Sequence, residues 1–405
     1  MTSRAAGGSA ARHIAWMCAA HVISMPGFAT YATLLPGLQQ EWRINNSQAG
    51  LVSGAFFAGY MAAVPLLMGL TDRVDARRVY LFSCLTLTAA LGAFALLAQG
   101  FVTAALCQAA VGAGIAGTYM PGLRVLTDNI SGPAQSRAVS FYTAIFGLAT
   151  SVSILVSGQV ADLWGWRGAF AAAAIGPAIA AAMVTLGMPP SQSHAGHAAP
   201  LLDFRPVLRA RQVWPYMLGY TVHCWELFGS RSWLVAFCFF AQGAQAQIGP
   251  WAWSPVAIAA VANLFGPPAS VLGNEFALRF GRGRLIAIAM IVSGLLTCML
   301  GFASWLPWFA IAGLTMLHMA LLMGDSSALT AGMVMHSPPE ARGATMAIHS
   351  MLGFGAGFIA PLVFGAVLDL AGGNESASAW GAAYMTLGVG AVVAPWLLGF
   401  ARRKA

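Results

Sequence analysis

Twelve times along its 405 residues the chain runs apolar for roughly 20 residues or more before a polar or Pro/Gly-rich break. A helix rises about 1.5 Å per residue, so each run is long enough to cross the ~30 Å hydrocarbon layer of a bilayer. Inside that layer every backbone N–H and C=O must find its partner within the segment, and for continuous apolar runs only the helix provides this. The runs fall at 14–38, 48–70, 79–99, 103–128, 138–161, 168–188, 213–239, 254–277, 285–303, 307–332, 344–368 and 381–400. The sequence therefore predicts an all-α membrane protein with twelve transmembrane helices.

Composition agrees. Charged residues make up 8% of the chain and the mean hydropathy is +0.73, whereas soluble domains carry roughly 25% charged residues. The net charge of +8 would suggest nucleic acid in a soluble protein, but its placement explains it otherwise. Sixteen of the twenty Lys and Arg fall on one side of the twelve-run layout, with only Arg43 and Arg167 in loops on the other and Arg124 and Arg231 within runs. Basic residues mark the cytosolic face, so both termini are expected in the cytosol and the protein is expected in the cell inner (plasma) membrane, multi-pass. No basic-apolar-small cleavage pattern precedes the first run, so the N-terminus reads as a short cytosolic tail. The six cysteines lie inside apolar runs without CxxC spacing and read as packing thiols; neither a metal nor a cofactor is expected.

One segment breaks the rhythm. From Pro189 onward the chain is rich in Pro, Ser, His and Arg and cannot span. It divides the chain into an N-terminal six-helix bundle (1–188), a cytosolic linker (189–212) and a C-terminal six-helix bundle (213–405). The halves repeat weakly at an offset near 206 residues: Arg73 to Arg78 corresponds to Arg279 to Arg284, and SGQVADLWG at Ser157 to FGAVLDLAG at Phe364. Such a repeat is expected of two pseudo-symmetric bundles that arose by duplication.

The turn Gly69 to Arg78, GLTDRVDARR, packs its charges between two of the runs. Its Gly-x-x-Asp-Arg-x-x-x-Arg-Arg pattern resembles the signature loop of the major facilitator superfamily, which joins the second and third helices on the cytosolic side. Asp75 and Ala76 stand where that family more often has Gly and Arg. The resemblance implies a permease with a cytosolic gate. Asp72 would approach a helix N-terminus in the other half, where the dipole favours an anion, and Arg73 would approach Asp128. Arg77 and Arg78 either join that gate or set orientation against anionic membrane lipids.

Ionisable groups inside a span are costly and so point to function. Glu226 stands about thirteen residues from the cytosolic end of the seventh run, roughly 20 Å deep and near the midplane. His223 precedes it by three and shares its face. His318 in the tenth run lies level with Glu226. Because the first, fourth, seventh and tenth helices line the cavity in the superfamily, the resemblance implies that Glu226 and His318 face one another as a proton-coupling pair, with Asp325 a further candidate. An internal hydrogen bond from Glu226 to His223 is the structural alternative. Arg231, five positions from Glu226, points elsewhere and is suited to grip an anionic substrate bidentately, with a structural acceptor such as backbone or Gln108 as the alternative. Tyr31, Tyr119, Tyr220 and Trp225, with His21, are candidates for the cavity wall. Arg124 precedes Asp128 by one helical turn, which suggests a local ion pair.

Two signatures of proton-driven drug exporters in the superfamily are missing: Gln108 takes the place of an Arg in the fourth helix, and the fifth run has no Gly-Pro pair. The expectation is therefore transport of a small organic, preferentially anionic, metabolite by proton symport. Proton-antiport efflux of drugs or metabolites, and a non-transporting receptor or assembly subunit on the same fold, are the alternatives. No nucleophile–base set suggests an enzyme. The expected partners are a small-molecule substrate, protons and membrane lipids, with no nucleic acid, and a monomer is the expected state.

Overall fold

A computed structural model of the chain describes residues 2–71, 73–130, 133–190, 204–245, 253–338 and 342–401, and among these it contains helices and turns with no strand. The apolar runs appear as helices, but several are interrupted in ways that matter.

The first run is two helices, α1 (Thr2–Ser24) and α2 (Thr30–Trp42), parted around Pro26. Proline cannot donate, and a break inside a membrane leaves backbone groups that need partners. Ser153 supplies them: its hydroxyl accepts from the Ala29 N–H at 3.0 Å and donates to the Pro26 carbonyl. One turn on, Ser157 meets the Thr30 hydroxyl at 2.8 Å. Next come α3 (Asn46–Thr71), α4 (Ala76–Leu97) and α5 (Phe101–Asp128). The fifth and sixth runs form one continuous stretch, α6 (Pro133–Gly187), that turns at Gly165, whose φ of +69° suits a residue without Cβ.

Within the expected linker lies a short helix, α7 (Arg205–Arg209), while residues 191–203 fall outside the described residues. The seventh run is α8 (Trp214–Gly243). The eighth is divided into α9 (Pro255–Leu264) and α10 (Gly266–Phe280), with the break just before Pro267 and Pro268. The ninth is α11 (Arg282–Leu300), and the tenth is split into α12 (Trp308–Met323) and α13 (Ser326–His336) at Gly324 and Asp325. The last two are α14 (Arg342–Leu370) and α15 (Ala377–Leu397).

Among the described residues, nine helical stretches are long and apolar enough to cross a membrane. The continuous α6 stretch counts once for two runs, and the broken α1–α2 run is absent from the nine. So is α8, with His223, Glu226 and Arg231 in its length.

Contacts group the chain into two compact units: Met1–Tyr31 with Gly59–Leu201, and Ala32–Ala58 with Leu202–Ala405. Residues 32–58 thus pack with the second unit, and α3 is shared between the two. In the first unit, α4 packs on α5 and α6 around Tyr80, Cys84, Val125 and Tyr142. In the second, α11 packs on α15 and α8 on α14. Glycines allow the first of these pairs to close: a Cβ on Gly294 would fall 2.7 Å from the Gly388 carbonyl oxygen. With that edge of α11 pressed on α15, the adjoining edge carrying Ser293 and Thr297 faces α8.

Candidate functional site

The polar centre of the second unit is built from α8, α11, α12 and the α12–α13 break. On α8, Glu226 is 2% exposed. Its Oε1 accepts from the Thr297 hydroxyl at 2.6 Å, and its Oε2 from the Ser293 hydroxyl at 3.2 Å. The same Thr297 oxygen lies 2.7 Å from Nε2 of His318, which is fully buried on α12. Glu226 and His318 are therefore joined through one hydroxyl contributed by α11. The alternative of a Glu226–His223 bond does not occur.

His223 has another partner. Its Nδ1 lies 2.8 Å from Asp325 Oδ1, with both side chains almost wholly buried. The break at Gly324 explains why they meet. The backbone of α12 ends in a tightened turn, Gly324 N–H to the Leu321 carbonyl, and α13 restarts with Leu329 bonding back to the Asp325 carbonyl. Asp325 sits at that restart without capping α13, leaving its carboxylate available to α8. An interrupted helix that lines a polar site is a recurrent device in membrane carriers.

Beyond the expected residues, the structure adds His349 of α14. Its ring stacks on Tyr220 at 3.8 Å and 21°, and Tyr220 also stacks on His223 at 5.8 Å. Neither nitrogen of His349 has a hydrogen-bond partner, nor have Nε2 of His223, Nδ1 of His318 and Nε of Arg231. Most buried polar atoms in folded proteins have a hydrogen-bond partner, which sets these apart. Arg231 makes no ion pair among the described residues. Trp225 turns away to α15, its indole N–H donating to the Thr386 carbonyl at 2.9 Å.

Tyr31 and Tyr119 belong to the first unit. Tyr31 is buried against Phe94. Tyr119 and Tyr142 flank His21 with ring centroids 5.3 and 4.7 Å away, and both nitrogens of His21 are unpartnered.

Of the expected gate, Asp72 lies outside the described residues. Arg73 and Arg78 are exposed. Arg77 donates to the Thr185 carbonyl, which ties the loop to the end of α6. Asp128 pairs with Arg124 at 3.1 Å, the local ion pair that the one-turn spacing suggested. Asp75, where the family more often has Gly, caps α4 by accepting from the Arg77 N–H at 2.9 Å. A carboxylate on a helix start, the chemistry expected of Asp72, occurs also at the opposite end of α3. There Asp369 accepts from Asn46 N–H and Nδ2–H at 3.0 and 2.9 Å and from Ser47 N–H and Oγ–H at 2.8 and 2.6 Å.

Comparison with known proteins places this geometry in a family. The sequence profile of the Major Facilitator Superfamily matches residues 17–361. In fold, the chain resembles a bacterial homolog of the human lysosomal transporter Spinster in an inward-facing, unoccupied conformation (TM-score 0.73, 15% identity, 97% of this chain and 95% of that one). It also resembles a POT family transporter in complex with 5-aminolevulinic acid (TM-score 0.72, 12% identity, 97% and 95% covered). A third resemblance is to a structure described under substrate recognition in proton-dependent oligopeptide transporters (TM-score 0.70, 15% identity, 97% and 99% covered).

Proposed function

This chain belongs to the Major Facilitator Superfamily, and from that premise we propose that it takes up a small organic anion across the cell inner membrane by alternating access, coupled to protons. That it is a multi-pass membrane protein with the twelve-helix transporter fold follows from the family match and the fold. Substrate, coupling and direction are the proposal.

The observation that carries it is the buried chain Glu226–Thr297–His318. A carboxylate and an imidazole in hydrocarbon are expensive unless they have work to do. Sharing a hydroxyl lets the pair hold one proton in either of two places. Asp325 with His223 forms a second titratable pair in the same unit. Arg231 supplies the substrate anchor: an always-charged fork with an unpartnered Nε is matched to a carboxylate. One fold neighbour, a POT family transporter, is in complex with 5-aminolevulinic acid, a molecule bearing such a group. Tyr220 of α8 is assigned to the substrate path, whereas Trp225, turned toward α15, is not. Asp72, Arg73, Arg77, Arg78 and Asp128 are assigned to a cytosolic gate, with both termini in the cytosol and the monomer as the working unit.

The test is a thermal-shift screen of the purified protein against small carboxylates, amino acids, inorganic anions and lipophilic cations, repeated on Arg231→Ala. Stabilisation by a carboxylate that disappears in the variant is the expected result. A ligand present at about 100 times its Kd stabilises by ~2.7 kcal/mol, so the shift is large enough to read. Stabilisation by lipophilic cations alone overturns the anion assignment. For the resulting ligand, uptake into right-side-out vesicles is expected, and accumulation only in energised everted vesicles overturns the direction.

A further inference from the structure

The Thr297 oxygen makes three contacts with a single proton to donate: Glu226 Oε1 at 2.6 Å, His318 Nε2 at 2.7 Å and the Ser293 carbonyl at 2.9 Å. A hydroxyl donates once and accepts twice, so these contacts cannot all be satisfied by Thr297 as donor. From this accounting we infer that Thr297 is a positioning residue that passes the coupling proton between Glu226 and His318. The inference rests on the reading of Glu226 as the proton site and goes one step beyond it.

Two hydrogen-bond orders satisfy the cluster. In the first, the Glu226 carboxylic acid donates to Thr297 Oγ1, and the Thr297 hydroxyl donates to the lone pair on His318 Nε2. In the second, Nε2–H of His318 donates to Thr297, and Thr297 donates to the Glu226 carboxylate. To pass from one to the other, the Glu226 O–H bond breaks as its proton bonds to Thr297 Oγ1, while the original Thr297 proton leaves to bond His318 Nε2. Two protons shift for a net transfer of one, no oxidant or reductant takes part, and Glu226 is left anionic beside an imidazolium. The Ser293 carbonyl offers the hydroxyl a third orientation in which it serves neither partner, and Ser293 Oγ–H lies 3.2 Å from both the second carboxylate oxygen and the Met290 carbonyl.

The surroundings favour a closed exchange. Glu226, Thr297 and His318 are each almost wholly buried, so Thr297 is the polar atom common to both ends of the chain. The other ionisable groups close enough to feel the Glu226 charge are Asp325, already facing His223 at the α12–α13 break, and Cys298 on α11. The orphaned Nδ1 of His318 is the far terminus, where a proton arriving on Nε2 is matched by one released.

The experiment needs no substrate. Infrared titration of the reconstituted protein locates the Glu226 carboxylic acid C=O band as the one lost in Glu226→Gln, and a pH jump followed at that band gives the rate at which Glu226 gains and loses its proton. In Thr297→Val, which keeps the shape and removes the hydroxyl, the band is expected to shift to the position of an acid that has lost one of its two hydroxyl partners and keeps Ser293. The exchange rate is expected to fall by about 10²-fold, the lower end of what a placed proton-transfer group contributes. Thr297→Ser restores both, whereas a purely structural threonine would leave the rate unmoved in Val. An unchanged band and rate in Thr297→Val, or a well-folded Thr297→Ser that does not restore them, overturns the relay while the proton site stands. If no acid band at any pH depends on Glu226, the proton-site reading falls instead.

Discussion

Each unit buries an imidazole a few residues before a helix break, and the two treat it differently. In the first, His21 lies five residues before Pro26 among Tyr119, Tyr142 and Phe146, fully buried, with neither nitrogen hydrogen-bonded. In the second, His318 lies six residues before Gly324 and is wired through Thr297 to Glu226, with a second pair, His223 and Asp325, at the break itself. The first break is mended by neutral serines on α6, the second is fitted with a carboxylate. The two breaks are not copies of one another, since an offset near 206 residues carries His21 to the neighbourhood of Glu226 on α8, and the proposed coupling calls for titratable groups at only one of them. Concentrating such groups in one unit limits the desolvation cost to one place.

The comparison breaks first, and by the largest amount, at Asp325. Asp325→Ala removes the partner of His223 Nδ1 in a site where both side chains are buried. Loss of one member of a buried pair costs ~3–5 kcal/mol, so a marked fall in the unfolding midpoint in detergent is expected. A midpoint within error of the wild type would mean that the pair contributes nothing to the second unit, and the contrast between the two breaks would lose its basis. A smaller effect is expected from Ser153→Ala, which removes one hydroxyl from the Ala29 N–H and the Pro26 carbonyl, while the Thr30 hydroxyl goes on donating to that carbonyl at 2.7 Å. Losing ordinary hydrogen bonds of this kind costs ~0.5–1.5 kcal/mol each. Because nothing titratable is touched, proton-coupled uptake in vesicles should survive at permissive temperature. Its selective loss with stability intact would assign coupling to the first unit as well.

What was legible in the sequence follows the same division. The apolar runs, the basic side and the level of Glu226 with His318 came from counting residues along straight helices, which suffices where helices are straight. Counting failed at the breaks. Asp325 is a proton-coupling candidate by residue type, but only the interruption at Gly324 brings its carboxylate to His223. Thr297 gives no such sign, because a hydroxyl inside a helix normally bonds the carbonyl four residues back, as Thr297 also does with Ser293. The available signal was the Ser293–Thr297 pair, two hydroxyls one turn apart in an otherwise apolar run. His349 left no comparable trace, since only the stacking on Tyr220 gives it a context. Asp369 was read only as part of a repeated segment, and its fourfold hold on the start of α3 depends on a contact far apart in sequence.

The smallest effect belongs to His21. With no hydrogen bond to lose, His21→Phe exchanges one flat ring for another in a box already lined by Tyr119, Tyr142 and Phe146. A near volume-conserving swap in a packed core costs less than ~1.5 kcal/mol, and removing two unsatisfied polar atoms offsets part of that. The matching change His318→Phe deletes the acceptor that faces Thr297 and should end proton-driven uptake while leaving the fold. Measured side by side in vesicles, near-normal transport in the first variant and loss in the second is the expected outcome. If His21→Phe abolishes uptake as completely as His318→Phe, the aromatic box is part of the proton path, and its bare nitrogens are waiting for a water or ligand instead of simply packing.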